Sequence, residues 1–232
     1  MKFRAVVFDL FGTLVPEFVK ADFYDTVRTM AEVLGVDRER FEAEWDRTAL
    51  ERQKGVFPTV EANVRAICSS VGVAPPDEAV ERALDARLDL YRKLFHPRPG
   101  ALETLAAVKE RGYRTALISM CAPDAPPMWR ASPLATYVDV EIFSSETGLR
   151  KPDPEIYRAA SDGIGVEPEA CLYVGDGAYG ELNGAEAVGM TAYLVVDPSL
   201  DPDESLTPER DDWQGAEVSD LRELLDLLPR LP

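Results

Sequence analysis

An α/β fold, in which a mainly parallel sheet is interrupted by an inserted all-helical domain, is predicted by three features of this 232-residue chain. The first is Arg4-Ala-Val-Val-Phe-Asp9-Leu-Phe-Gly12-Thr13-Leu14, an apolar run that stops on a carboxylate and turns at glycine. The second is a regular alternation of helical and strand-like segments from Gly100 onward, the signature of crossover connections between parallel strands. The third is an intervening stretch of about eighty residues with helical periodicity and no convincing strand.

A Val- and Phe-rich run bounded by a glycine turn reads as a buried strand. Asp9 then stands at its carboxyl end, where open α/β sheets gather their ligands. After Pro16 the period becomes helical. Phe23, Val27, Met30, Ala31 and Leu34 recur at helical spacing before Gly35, and Phe41, Trp45, Thr48 and Ala49 do so before Gly55. Two more amphipathic helices span 60–71 and 77–95, the last opened by Pro75-Pro76-Asp77 and closed by His96-Pro97-Arg98-Pro99-Gly100. Residues 16–96 are therefore expected to form a helical domain inserted into a core made of 1–15 and 97–232. In that core, helix 101–111 leads to strand 113–119, and strand 138–143 follows a Pro-rich connection. Helix 154–164 precedes strand 171–175, and helix 181–188 precedes strand 191–196. The Asp-, Glu- and Pro-rich stretch 197–212 reads as a solvated loop, and 218–228 as a final amphipathic helix.

The formal charge of −17 disfavours nucleic acid or an anionic membrane as a main partner, because either is repelled. No apolar stretch approaches the roughly 20 residues that cross a bilayer, and no charged-then-apolar leader precedes the first strand, so a cytoplasmic protein is expected. Cys68, Cys121 and Cys171 are few, dispersed and odd in number, which suits reduced thiols.

Four polar clusters fall at or just beyond strand ends: Asp9 with Thr13, then Ser119, then Lys151, then Asp176 with Glu181. Each alone has an ordinary structural use as a cap, a surface cation or a turn residue. Their convergence on one crevice of a doubly wound sheet is the argument for chemistry. Three carboxylates in one pocket drive at least one to take up a proton unless cations sit among them, and Lys151 with a divalent ion supplies that charge. Carboxylates, water and a substrate phosphate are the ligands magnesium prefers. The Ser119 hydroxyl, backbone N–H groups of the Asp9–Thr13 turn and Lys151 can hold the oxygens of a phosphoryl group while Asp9 attacks phosphorus.

With these residues the chain resembles the haloacid dehalogenase-like hydrolase superfamily over essentially its whole length. Phe8-Asp9-Leu10-Phe11-Gly12-Thr13-Leu14 is similar to the first motif of that superfamily and Leu117-Ile118-Ser119 to the second. Gly148-Leu149-Arg150-Lys151-Pro152-Asp153-Pro154-Glu155-Ile156-Tyr157 resembles the third, and Tyr173-Val174-Gly175-Asp176-Gly177 through Glu181 to Ala185 the fourth. The resemblance implies a Rossmann-like three-layer core, a helical cap over 16–96 and a small substrate. It also implies Asp9 as nucleophile and Asp176 as magnesium ligand, with Glu181 binding the ion directly or through water and the Phe11 backbone carbonyl as a further ligand. Phosphatases of the superfamily usually carry a second Asp two residues after the nucleophile, and this chain has Phe11. That Asp protonates the leaving oxygen and then activates water, work worth on the order of 10²–10⁴ in rate.

The expected function is therefore a magnesium-dependent phosphatase acting on a small anionic metabolite, as monomer or homodimer. Two alternatives follow from Phe11. One is a 2-haloacid dehalogenase, in which Asp9 displaces a halide that needs no proton. The other is a weakly active or non-catalytic phosphate-binding protein. In the cap, Arg52 and Lys54 are the candidates for meeting an anionic substrate, and Arg47 or Arg52 for offsetting the charge of a carboxylate. Met120, Cys121, Trp45 and Trp129 read as packing residues, and His96 as a neighbour of the hinge rather than a base.

Overall fold

The first apolar run becomes β1 (Ala5–Phe8), an interior strand, in the computed structural model, which describes residues 3–197, 201–206 and 213–232. Val6 and Phe8 enter one apolar cluster and Ala5 and Val7 another, so both faces of the strand are covered. A strand buried on both sides needs a continuous apolar run rather than alternation, and that is why its sequence was legible.

Five helices follow: α1 (Lys20–Leu34), α2 (Arg38–Arg47), α3 (Ala49–Gln53), α4 (Val60–Ser70) and α5 (Asp77–Leu94). Asp37 caps α2 by accepting the Arg40 N–H, and Thr59 caps α4 by accepting the Ala62 N–H. Val27, Met30, Phe41, Trp45, Val64 and Ile67 close on an apolar core of this block's own. The helix expected before Gly55 is two helices. Thr48 turns its hydroxyl back onto the carbonyls of Glu44 and Trp45, and the chain bends there between α2 and α3.

The remaining elements are α6 (Ala101–Glu110), β2 (Arg114–Ser119), α7 (Ala125–Arg130), β3 (Val140–Phe143), α8 (Ser144–Thr147), α9 (Pro154–Ile164), β4 (Cys171–Gly175), α10 (Glu181–Ala187), β5 (Thr191–Val195) and β6 (Ala216–Val218). All strand pairs are parallel, in the order β3-β2-β1-β4-β5-β6. The order reverses between β1 and β4, so the crevice of this sheet opens beyond their carboxyl ends. The turn after β1 and the turn after β4 carry Asp9 and Asp176.

Two expectations for the end of the chain are corrected. Of 197–212, only 197 and 201–206 lie within the described residues, and this part is not merely solvated. Ser205 forms an antiparallel bridge with Val19, and the Leu206 N–H donates to the Phe18 carbonyl at 3.0 Å. The helix expected over 218–228 is instead β6 followed by a 3-10 turn, Leu221–Asp226. A capping box between Asp220 and Glu223 starts a helix there. Its continuation would need residue 229 to donate to the Leu225 carbonyl, and Pro229 has no N–H. Arg111 takes that carbonyl instead, together with that of Leu228. No helix among the described residues is long and apolar enough to cross a membrane.

Candidate active site

The loops at the reversal point bring four charged side chains together in the interior. Lys151 Nζ, in the loop before α9, donates to Asp9 Oδ1 and to Glu181 Oε2, each at 2.5 Å. Glu181, the first residue of α10, is fixed further: Oε2 accepts the Tyr173 hydroxyl at 2.6 Å and Oε1 the Gly177 N–H at 2.9 Å. One carboxylate oxygen each from Asp9, Asp176 and Glu181 lies within 4.8 Å of the others, and all three residues are buried. The Asp176 carboxylate is oriented by the Ala178 N–H, which donates to Oδ1 at 3.0 Å.

Two glycines make this approach possible. A Cβ on Gly12 (φ 78°) would sit 2.4 Å from Asp176 Oδ2, and one on Gly175 would sit 2.1 Å from Glu181 Oε1. The absent side chain at Gly12 lets the turn after β1 close on the turn after β4, and the one at Gly175 lets Glu181 fold back onto the end of β4.

Three buried carboxylates face one ammonium. Burial pushes Asp9 up to about 7; Lys151 pulls it down, and Glu181 adds to the rise. Burial also lowers the Lys151 ammonium, but Asp9 and Glu181 outweigh it and hold the group above its ordinary value. The excess negative charge fits a divalent cation. Asp9 and Asp176 would hold it, along with the Phe11 carbonyl, which accepts no hydrogen bond among the described residues. The Gly12 carbonyl is taken by Arg98. Both oxygens of Glu181 already accept protein donors, so it suits contact through water better than direct ligation.

Thr13 and Ser119 are fully buried, and neither hydroxyl has a hydrogen-bond partner of good geometry among the described residues. The Cys121 thiol is the polar neighbour of Ser119. The backbone N–H groups expected to bind phosphate are mostly occupied. Gly12 donates to Val15 O and Thr13 to Leu10 O, while the Leu10 N–H is directed to the Asp9 carboxylate. The Phe11 N–H is the one that remains among the described residues.

A cavity of about 230 Å³ opens between the sheet end and the helical block, and Asp9, Phe11 and Asp176 line it. The Phe11 ring packs into an aromatic wall, 4.8 Å from Phe18, 5.7 Å from Phe95 and 6.2 Å from Tyr91 between centroids. Arg52 also lines the cavity. Lys54 is exposed and does not line it, and Arg47 is an exposed partner of Glu44 at 2.8 Å. His96 is exposed, with Nδ1 2.7 Å from the Lys93 carbonyl. Trp45 and Trp129 are fully buried packing residues. Met120 and Cys121 edge the cavity, and burial pushes the Cys121 thiol up to about 12, so it remains protonated at neutral pH.

Sequence reasoning missed Arg87, Asp46, Gln53 and Tyr179 in the cavity wall. Arg87 donates to Asp124 at 2.8 Å and to the Tyr91 hydroxyl at 3.0 Å. Asp46 accepts the Tyr24 hydroxyl at 3.3 Å. Tyr179, between Asp176 and Glu181, holds a left-handed backbone (φ 58°) that costs energy for a tyrosine, and its hydroxyl accepts Gln53 Nε2 at 2.8 Å.

Known proteins resemble this chain over most of its length. A family model for haloacid dehalogenase-like hydrolases matches residues 3–189. The chain is 30% identical over 232 residues to (S)-2-haloacid dehalogenase 1 of Pseudomonas sp. (strain CBS-3), covering 98% of this chain and 97% of the relative. It is 26% identical over 233 residues to glyceraldehyde 3-phosphate phosphatase of Methanopyrus kandleri, covering 98% of each. Among solved structures, a HAD phosphatase from Thermococcus onnurineus superposes with a TM-score of 0.66 at 21% identity, covering 99% of this chain and 100% of that one. Its parallel sheet carries the expected Rossmann-like fold, and the chain belongs to the haloacid dehalogenase-like hydrolases.

Proposed function

We propose that this protein is a magnesium-dependent phosphohydrolase acting through Asp9. The observation that carries the reading is the charge imbalance at the strand ends, three buried carboxylates against one ammonium. A site built to work without a cation has no reason to hold that excess in its interior. When bound, magnesium neutralises charge on the transferring phosphoryl group and on Asp9. The residues of this chain do the rest. An Asp9 oxygen attacks phosphorus, the bond to the ester oxygen breaks with its electron pair leaving on that oxygen, and water later hydrolyses the aspartyl-phosphate. Lys151 orients Asp9, while the Thr13 and Ser119 hydroxyls and the Phe11 N–H are the donors left for phosphoryl oxygens. Residues 16–96 act in this reading as a cap that closes the cavity from water.

Phe11 gives the departing oxygen no proton, so leaving groups of low basicity are favoured. Aryl phosphates are expected to be cleaved much faster than alkyl phosphates with magnesium, and neither in the presence of a chelator. Phosphate release measured over such a panel tests the reading, and chelator-insensitive release ends it. Phe11→Asp is expected to raise alkyl phosphate turnover by about 10²-fold, with aryl phosphates little changed. The same change removes a partly buried aromatic from the wall and lowers stability, by less than the loss of a fully buried ring would. An unaltered alkyl rate in a folded variant refutes this account of Phe11.

A second reading is favoured by two specific observations, the apolar Phe11 beside Asp9 and the full-length similarity to a 2-haloacid dehalogenase. Here Asp9 displaces halide from carbon, and halide leaves without a proton. Halide release from short 2-haloacids that persists under chelation selects it.

A further inference from the structure

Arg52 is only 4% exposed, yet no carboxylate lies within ion-pair distance of it among the described residues. Its Nη1 is anchored by three neutral acceptors: the Trp45 carbonyl at 2.9 Å, Thr48 Oγ1 at 3.0 Å and Asn63 Oδ1 at 2.8 Å. Its guanidinium plane lies over the Trp45 ring, 3.9 Å from the centroid. The other two nitrogens make no hydrogen bond among the described residues, and the residue lines the cavity that contains Asp9.

The acids nearest in that wall are engaged elsewhere. Asp46 accepts Tyr24, Glu17 accepts Ser205, and Asp124 is the partner of Arg87. Burial, with the nearby Arg87 charge adding to it, pulls Arg52 down to about 9, and the more distant Asp124 and Asp46 charges offset only part of that. A buried guanidinium that stays charged without a counter-ion is costly, and three neutral acceptors need a donor rather than a charge.

We propose that Arg52 is the receptor for a carboxylate on the substrate, borne at the end of the molecule away from the group that Asp9 attacks. Two unused nitrogens on one edge of a planar fork match the two oxygens of a carboxylate. A phosphate dianion would bring more negative charge to a wall that already carries Asp46 and Glu17. The cavity is small, about 230 Å³, and Phe11, Phe18 and Phe23 are in its lining, which suits a short body with an apolar part. The substrate class is therefore a small carboxylic acid carrying its leaving group a few atoms away. The assignment of the reacting end as a phosphate ester rests on the function proposed above, while the carboxylate assignment does not.

Phosphoglycolate and ethyl phosphate differ in having a carboxylate or a methyl at one end. With magnesium, the wild-type protein is expected to prefer the former by 10- to 100-fold in kcat/KM, with the difference in KM. Arg52→Gln should bring that preference to within a few-fold, and Arg52→Lys should keep part of it. A preference that is absent, or equal in wild type and folded Arg52→Gln, overturns the proposal. If no phosphate ester is hydrolysed, the phosphohydrolase reading fails separately, and binding decides the carboxylate site. Glycolate should then raise the melting temperature of the wild-type protein more than glycolamide does, with the difference lost in Arg52→Gln. Equal effects of the two overturn it. Because Arg52 also anchors Trp45 and Asn63, folding of each variant is checked by circular dichroism, and Arg52→Lys carries the test if Arg52→Gln unfolds.

Discussion

Asp9→Asn is expected to abolish hydrolysis, with kcat falling on the order of 10⁴-fold or more, because an amide oxygen cannot form the covalent intermediate. The variant should nevertheless fold, and in the absence of magnesium at neutral pH it should melt at or above the wild-type temperature. The reason is the cluster itself. Asn is isosteric and leaves two buried carboxylates instead of three around Lys151, so like-charge repulsion falls. The pH dependence separates this from a trivial loss of function. Burial raises the Asp9 carboxyl from its ordinary value to about 7, so between about pH 4 and pH 7 the folded chelated protein holds a proton that the unfolded chain has released. Stability from this group is complete below about pH 4 and declines as pH rises toward 7. Asp9→Asn should lack that decline. Residual activity above about a hundredth of wild type in the variant would remove Asp9 from the nucleophile's role.

The parts of the fold legible in the sequence are those where local pattern and tertiary burial demand the same residues. β1 and β4 are covered on both faces, so their apolar runs had one interpretation, and α9 begins on Pro154 and stops before Gly165, start and stop signals that need no tertiary information. Asp9 and Asp176 were legible for a related reason, since a carboxylate directly after a buried strand can stand only at the sheet's mouth. The far wall of the cavity was not legible, because it depends on how the helical block sits over that mouth. One signal was present. Arg87 occupies the buried stripe of α5, with Val80, Ala83, Leu90 and Leu94, at spacings that place a charge among apolar neighbours. A charged residue inside an apolar stripe marks either a buried ion pair or a ligand site; Arg87 with Asp124 is the first. Arg52 lies on a helix of only five residues, too short for a stripe to be read, so nothing local separated it from exposed Lys54. Tyr179 gave no signal at all, because a left-handed tyrosine is imposed by the turn around it rather than preferred by its side chain.

Lys151→Met is expected to cost about 3–5 kcal/mol of stability in the chelated protein at neutral pH, since it strands Asp9, Asp176 and Glu181 in the interior without a cation. Catalysis should fall with it by about 10²–10³-fold, the usual loss when one preorganised donor at a reacting group is removed. Three further results follow from the same electrostatics. Lys151 is what pulls the Asp9 carboxyl down, so without the ammonium Asp9 holds its proton still more tightly in the folded state than in the unfolded one, and the variant should be less destabilised at pH 5 than at pH 7.5. Magnesium should restore part of the stability, by binding the native cluster in place of the lost charge. Adding Glu181→Gln to Lys151→Met should also restore part of it, because the second change removes a charge that the first left unpaired. Denaturant unfolding of the two single variants and the double variant gives the coupling directly, and the two changes should be strongly non-additive. Additive effects, or a Lys151→Met protein equally stable at both pH values, would mean that the 2.5 Å contacts of Lys151 do not balance the buried acids. The case for a cation completing the site would then fail, since it rests on one ammonium being too little charge for three carboxylates.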